Sequence, residues 1–228
     1  MAFIQNGNFE FVEVSNEKIA GLARGKFVVA LDFDGVITAP YYLKATYINE
    51  LGYKITPKES GKEDCLQLGV KKEDYDVGSI KAYTEKPSIL PLENGFLKNF
   101  KQIRDLKNVF IAIVTSRYDS MLAHLEDYLK HHKISVDAVI HTRYTNKAGP
   151  LALIKTSVFV EDTLSKLIDA KKEFSGDYCK FIFYRNIQNS NHKLKDSDVV
   201  EMDNWVKLKE FILSEYELFA EHNRTPQE

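Results

Sequence analysis

The stretch KFVVALDFDGVITAP, Lys26 to Pro40, opens with an apolar run, Phe27 to Leu31, that leads directly into Asp32, Phe33, Asp34 and Gly35. An unbroken apolar run of this length reads as a strand buried on both faces, the habit of parallel sheets covered by helices. Such a strand has no packing reason to end in paired negative charge. Two carboxylates so close repel, and each raises the other's pKa. A cation beside them removes the conflict, and oxygen ligands of this kind suit Mg²⁺. Gly35 permits a tight turn and a close approach of backbone to a ligand. In doubly wound sheets ligands gather beyond the carboxyl ends of the strands, which is where Asp32 and Asp34 stand.

Outward from this stretch, four more apolar runs read as buried strands: residues 109–115 (VFIAIVT), 136–142 (VDAVIHT), 157–162 (SVFVED) and 180–185 (KFIFYR). Helical patterns separate them, at 91–108, 119–132, 162–174 and near 203–220. Strands alternating with helices predict an α/β fold, a parallel sheet wrapped on both faces. One interval breaks the rhythm. Residues 33–108 between the first two runs exceed what a crossover helix needs, and 41–90 are rich in Tyr, Lys and Glu, with an amphipathic pattern in YLKATYINELG. We read 41–90 as an inserted, mainly helical subdomain whose ends lie close together, and 1–40 with 91–228 as the core. The first 25 residues suggest a short extended segment, FEFVEV, followed by a helix, SNEKIAGLARG.

The other strand tips carry chemistry too. The second ends in Thr115 and Ser116, whose hydroxyls and backbone N–H groups suit a phosphate. The third is followed by Lys147 at the start of a helical stretch, with Lys155 as a rival that should lie at the opposite edge of the sheet. The fourth delivers Glu161 and Asp162, the latter also able to cap the helix that follows.

Composition narrows the class. The chain has 228 residues, 44% of them hydrophobic, enough for a full core without a metal or disulfide staple. Lys+Arg at 31 against Asp+Glu at 33 gives a net charge of -2 with no long basic run, so no nucleic-acid partner is expected. Cys65 and Cys179 are the only cysteines and read as ordinary thiols of a reduced compartment. The opening residues lack a basic region followed by a long apolar stretch, and no run is long enough to span a bilayer. A cytoplasmic protein, without membrane association, is the expectation.

The order DFDG, Thr115, Lys147, then Glu161-Asp162 resembles the four motifs of the haloacid dehalogenase-like (HAD) hydrolases. The resemblance covers roughly residues 26–185, and the insertion sits where that superfamily carries its C1 cap. It implies a Rossmann-like core and Mg²⁺-dependent phosphoryl transfer through an aspartyl-phosphate. Asp32 aligns with the nucleophile and Asp34 with the general acid/base, its backbone carbonyl facing the metal. Thr115, with Ser116, and Lys147 would bind the phosphate. Asp162 would ligate Mg²⁺ together with Asp32, and Glu161 would support it or replace it. The sequence departs from the commoner pattern at Lys166 and Leu167, where many members carry a second Asp, and at Ala39, often Asp in phosphoglycolate-type members. Substrate contacts are expected from Tyr41, Tyr42, Lys44 and Arg117, with Tyr118, His141 and Arg143 as further candidates. The implied function is a phosphatase of a small phosphorylated metabolite. A sugar phosphomutase of the same superfamily and a non-catalytic metabolite-binding or regulatory protein are the alternatives, and the oligomeric state is open.

Overall fold

A computed structural model describes residues 1–223 apart from Tyr118, Tyr144, Asp177 and Lys195. Its centre is the strand β3 (Phe27–Leu31), every residue of which is buried. To one side lie β4 (Val109–Thr115) and β5 (Ala138–His141), to the other β6 (Val158–Glu161), β7 (Lys180–Tyr184) and β8 (Val199–Met202), all parallel to β3. An N-terminal hairpin, β1 (Ala2–Gln5) and β2 (Phe11–Val14), completes the sheet by pairing β1 antiparallel to β5, giving the order β2-β1-β5-β4-β3-β6-β7-β8.

The alternation of side chains along β3 divides the core into two layers. Phe27, Val29 and Leu31 face one layer, where α5 (Phe96–Arg104), α6 (Leu122–His132) and α9 (Trp205–His222) pack through Phe100, Leu125 and Leu208. Val28 and Ala30 face the other, where α1 (Asn16–Ala23), α7 (Ala148–Leu153) and α8 (Leu164–Glu173) pack through Ile19, Leu151 and Leu167. This is the helix-wrapped parallel sheet expected from the apolar runs. Each fully buried Val, Leu or Phe side chain contributes about 1.5–3 kcal/mol, so the four on β3 make it the thermodynamic anchor of the domain.

Two strands were not foreseen. β1 and β8 are short and mixed in polarity, AFIQ and VVEM, and are strands because the neighbouring edge offers backbone partners. The expected helix at 91–108 begins only at Phe96, because Gly95 holds a left-handed conformation with φ 77° and the residues before it run back from the insertion. Among the described residues no helix is long and apolar enough to cross a membrane.

Between β3 and β4 the chain forms α2 (Tyr41–Glu50), a 3₁₀ turn at Pro57–Glu59, α3 (Lys62–Gln67) and α4 (Lys72–Tyr83). These pack on a small apolar cluster of their own, Ala45, Ile48, Ile55, Cys65 and Val70. Gly78 lets α2 and α4 approach closely, since a Cβ there would stand 2.6 Å from Ile48 Cγ1. The two connections to the core run side by side: Ala39 N–H donates to the Pro91 carbonyl (2.8 Å) and Glu93 N–H to the Ile37 carbonyl (2.9 Å).

Glu93 is buried beside this junction and accepts a hydrogen bond from the Tyr41 hydroxyl at 3.0 Å. Burial pushes its carboxyl from 4.5 up to about 7, against the opposing effect of the Tyr41 and Asn94 hydrogen bonds. The folded state therefore holds this proton while the unfolded chain has released it, and this contribution to stability falls as pH rises between 4.5 and about 7. Glu93→Gln removes the dependence: relative to wild type it should gain stability across that window, by an amount on the order of 3 kcal/mol at most. Urea unfolding at pH 4.5 and pH 7.5 checks this; an equal difference at both values would exclude it.

Candidate active site

The carboxyl ends of β3, β4 and β6 come level, because Leu31 is in register with Ile113 on one side and Val160 on the other. Asp32 continues β3 through its N–H, which donates to the Val160 carbonyl at 2.9 Å. Lys147, at the start of α7, reaches across to this tip: its Nζ donates to Asp32 Oδ1 at 2.8 Å and to Glu161 Oε2 at 2.6 Å. All three side chains are buried. The rival Lys155 is exposed and follows α7 on its way into β6, and only Lys147 of the two reaches the aspartate.

Ligand atoms of Asp32, Glu161 and Asp162 lie within 4.8 Å of one another. Burial and the charge of Glu161 push Asp32 well above the usual carboxylate range, although Lys147 and Lys166 act in the other direction. Burial, Glu161 and Asp32 likewise push Asp162 up. Glu161 is also buried, but the charges of Lys147 and Lys166 and the hydrogen bonds it receives from Lys147 Nζ and the Thr163 N–H bring it below the ordinary value. Glu161 is thus already satisfied, whereas Asp32 and Asp162 are crowded carboxylates short of positive charge. That donor set fits a hard divalent cation, with Asp32 and Asp162 the residues that would hold it.

Asp162 is aimed by its neighbours. Asn186 Nδ2 donates to Asp162 Oδ2 (3.0 Å) and to the Gly35 carbonyl (2.9 Å), and Asn189 Nδ2 donates to the Asp162 carbonyl at 2.7 Å. Both asparagines come from the loop after β7, the polar stretch YRNIQNSNHK. Their content of amide side chains was the visible signal, but nothing in sequence tied them to Asp162. Lys166 was read only as a departure from a pattern. It sits one helical turn after Asp162 at the wall of the cavity, where the charges of Glu161, Asp32, Asp162 and Asp34 overcome partial desolvation and raise its pKa.

Asp34 points elsewhere. Arg117, from the loop after β4, holds its carboxylate in a two-pronged ion pair, Nε to Oδ2 at 2.8 Å and Nη2 to Oδ1 at 2.7 Å. Thr38 Oγ1 adds a third bond to Oδ1 at 3.2 Å. Asp34's carboxylate is therefore outside the acidic cluster, and only its backbone is left for the metal-facing part expected of it. Thr115 is buried at the tip of β4, its Oγ1 accepting from the Arg117 N–H at 3.3 Å, and Ser116 Oγ lies 3.1 Å from Thr142 Oγ1.

These groups open onto a cavity of about 860 Å³ whose wall includes Asp32, Asp34, Thr115, Ser116, Arg117 and Asp162 from the sheet side and Lys44, Ser79 and Tyr83 from the helices between β3 and β4. Of the residues expected to contact substrate, Lys44 and Arg117 line this cavity. Tyr41 and Tyr42 do not line it: Tyr41 turns to Glu93, and Tyr42 is half exposed with its ring against Tyr41. Neither do His141, which is bonded to the Arg117 carbonyl, and Arg143, which is exposed near Asp119. Tyr118 lies outside the described residues.

No family model and no curated protein matches the sequence. In structure, 60 known chains resemble it. A conserved haloacid dehalogenase-like protein of unknown function from Agrobacterium tumefaciens aligns with a TM-score of 0.59 at 14% identity, over 82% of this chain and 97% of its own. A predicted phosphoglycolate phosphatase from Haemophilus somnus aligns with 0.54 at 12% identity, over 82% and 98%. A protein from Thermotoga maritima, provisionally described as a β-phosphoglucomutase, aligns with 0.51 at 13% identity, over 82% and 99%. At these identities the likeness is one of fold: the chain has the Rossmann-type α/β fold of the HAD-superfamily hydrolases.

Gly35 ties the first strand tip to Asp162. Its φ is 85°, and a Cβ there would stand 2.0 Å from Asp162 Oδ2. Gly35→Ala should cost about 1–2 kcal/mol from the left-handed backbone alone, and more from the clash. In a chain of this size that is a fall in Tm of at least about 2 °C, measurable by calorimetry. An unchanged Tm would show that the turn tolerates a side chain and does not set the spacing to Asp162.

Proposed function

We propose that the chain is a Mg²⁺-dependent HAD-type phosphatase that hydrolyses a small phosphomonoester through an aspartyl-phosphate on Asp32. The observation that carries this is the placement of Asp32: a buried carboxylate at the end of the central strand, held at Oδ1 by Lys147 and grouped with Asp162 and Glu161 at the cavity wall. With Oδ1 fixed, Oδ2 is the oxygen that attacks phosphorus. Lys147 and Lys166 offset charge on the phosphoryl group, and the Thr115 hydroxyl and the Ser116 backbone orient it. Asp32, Asp162 and the Asp34 carbonyl would hold Mg²⁺, which would supply the positive charge that a carboxylate needs to approach an anionic phosphate. Asp34 delivers a proton to the leaving oxygen and later takes one from the attacking water. Arg117 donates to both oxygens of the Asp34 carboxylate, so proton transfer at Asp34 goes with exchange of Arg117 for the substrate oxygen as the carboxylate's partner.

Residues 41–90 are, in this reading, a cap over a core of 1–40 and 91–228, and the cavity between them takes the ester's leaving group. We place the protein in the cytoplasm with a phosphorylated metabolite as its partner, and no nucleic acid or membrane. A phosphomutase would use the same Asp32 and Asp34, and release of free phosphate without an activating bisphosphate separates the two.

Phosphate release from a panel of nucleotides, sugar phosphates and phosphorylated acids should depend on Mg²⁺ and stop with EDTA. Asp32→Asn should abolish it, and Asp34→Asn should lower kcat by about 10²–10⁴. Acid-stable trapping of phosphate on wild type but not on Asp32→Asn marks the covalent step. Turnover that survives in Asp32→Asn would exclude this assignment.

A further inference from the structure

One side of the cavity is built for charge that the proposed phosphoryl chemistry does not use. Lys44 on α2 is 3% exposed and lines the cavity. Its hydrogen-bond partner is the neutral Gln188 Oε1 at 3.0 Å, with the Tyr83 ring centroid 5.1 Å away. Among the described residues no carboxylate forms an ion pair with it. The charge of Asp162 acts on it only from outside ion-pair distance, and a buried ammonium whose direct partners are neutral is costly unless a ligand brings the opposite charge. Arg117 stands on the same tyrosine, its guanidinium carbon 5.5 Å from the ring centroid. Two of its nitrogens serve Asp34, but the third, Nη1, is buried without a hydrogen-bond partner. A second buried, unpartnered polar atom, Ser79 Oγ, lines the same cavity. Ser79 lies one turn before Tyr83 on α4, so the two side chains share a face of that helix.

We infer that Lys44, Arg117 Nη1 and Ser79 form a second anion subsite around Tyr83, so that the substrate is a phosphomonoester whose leaving group carries a further anionic group, a carboxylate or a second phosphate. The inference rests on the phosphatase reading for the position of the scissile phosphate. Two donors of the subsite are cationic and the third is a hydroxyl, which selects an oxyanion over a neutral polar group. Arg117 then links the two halves of the site: the same guanidinium that holds Asp34 touches the far end of the substrate. The acidic residues Glu63, Asp64, Asp76 and Asp169 also line the cavity, and none of them is buried.

Non-hydrolysable probes test the subsite without turnover. Phosphonoalkanoates from 3-phosphonopropionate to 6-phosphonohexanoate are compared, by titration calorimetry with Mg²⁺, with alkylphosphonates of equal carbon count and with the matching α,ω-bisphosphonates. At the best chain length one of the two doubly anionic series should bind wild type at least about tenfold tighter than its alkyl counterpart, as a charged hydrogen bond commands. Which series wins identifies the second group. In Lys44→Met that preference should fall below about threefold, and Ser79→Ala should reduce it in part. Equal binding of all series to wild type would overturn the inference, as would Lys44→Met weakening the alkyl and anionic series alike. Failure of the phosphatase reading looks different: no phosphate is released from any ester, while the binding preference of wild type over Lys44→Met persists.

Discussion

Three buried carboxylates share the space at the tip of the central strand, and the rest of the site is arranged around their mutual repulsion. Asp32, Glu161 and Asp162 bring their ligand atoms within 4.8 Å of one another, where water cannot screen them. Lys147 settles part of the conflict by bridging Asp32 and Glu161, and Lys166 contributes from the wall. The remainder is left on Asp32 and Asp162, whose affinity for a proton is correspondingly raised. A divalent ion with oxygen preference would answer that residual demand. The support around Asp162 is correspondingly tight: Asn186 bonds its carboxylate, Asn189 its backbone carbonyl, and Gly35 leaves room for the carboxylate at close range.

The sheet makes the crowding affordable. Five buried side chains on β3 and the two apolar layers beside it fix the strand ends to within the register of their hydrogen bonds, so the repulsion cannot relax by moving backbone. Trp205 strengthens this from below: its indole N–H donates to the Val36 carbonyl at 2.9 Å and its ring packs on Phe96, holding the turn that follows the aspartates. The function proposed for Asp32 and the packing of the core are thus the two ends of a single strand.

The helices between β3 and β4 contribute in a different way. They have a small apolar cluster of their own and reach the cavity with polar side chains on tyrosine-rich faces. Arg117 belongs to the sheet side but spans both: it binds Asp34, lies 4.6 Å from the Phe33 ring centroid and stands near Tyr83 of α4. A guanidinium has enough planar donors to serve a carboxylate and a ligand together, which a lysine at this position would not.

The sequence by itself determined the strands of the core and the residues at their tips. Buried parallel strands are written as continuous apolar runs, and charge directly after such a run is conspicuous, so Asp32, Asp34, Glu161 and Asp162 stood out, whereas Thr115 and Lys147 gained meaning only from their order among the strand tips. The short strands β1 and β8 were not, because AFIQ and VVEM become strands through backbone pairing with β5 and β7 rather than through their own pattern. Nor were the partnerships. Which carboxylate Lys147 would bridge, that Arg117 would grip Asp34, that Asn186 and Asn189 would aim Asp162, and that Tyr41 would turn away to Glu93 all depend on distances between segments far apart in the chain. Local pattern records whether a residue prefers water or the interior. Only the tertiary structure decides which buried charge stands next to which.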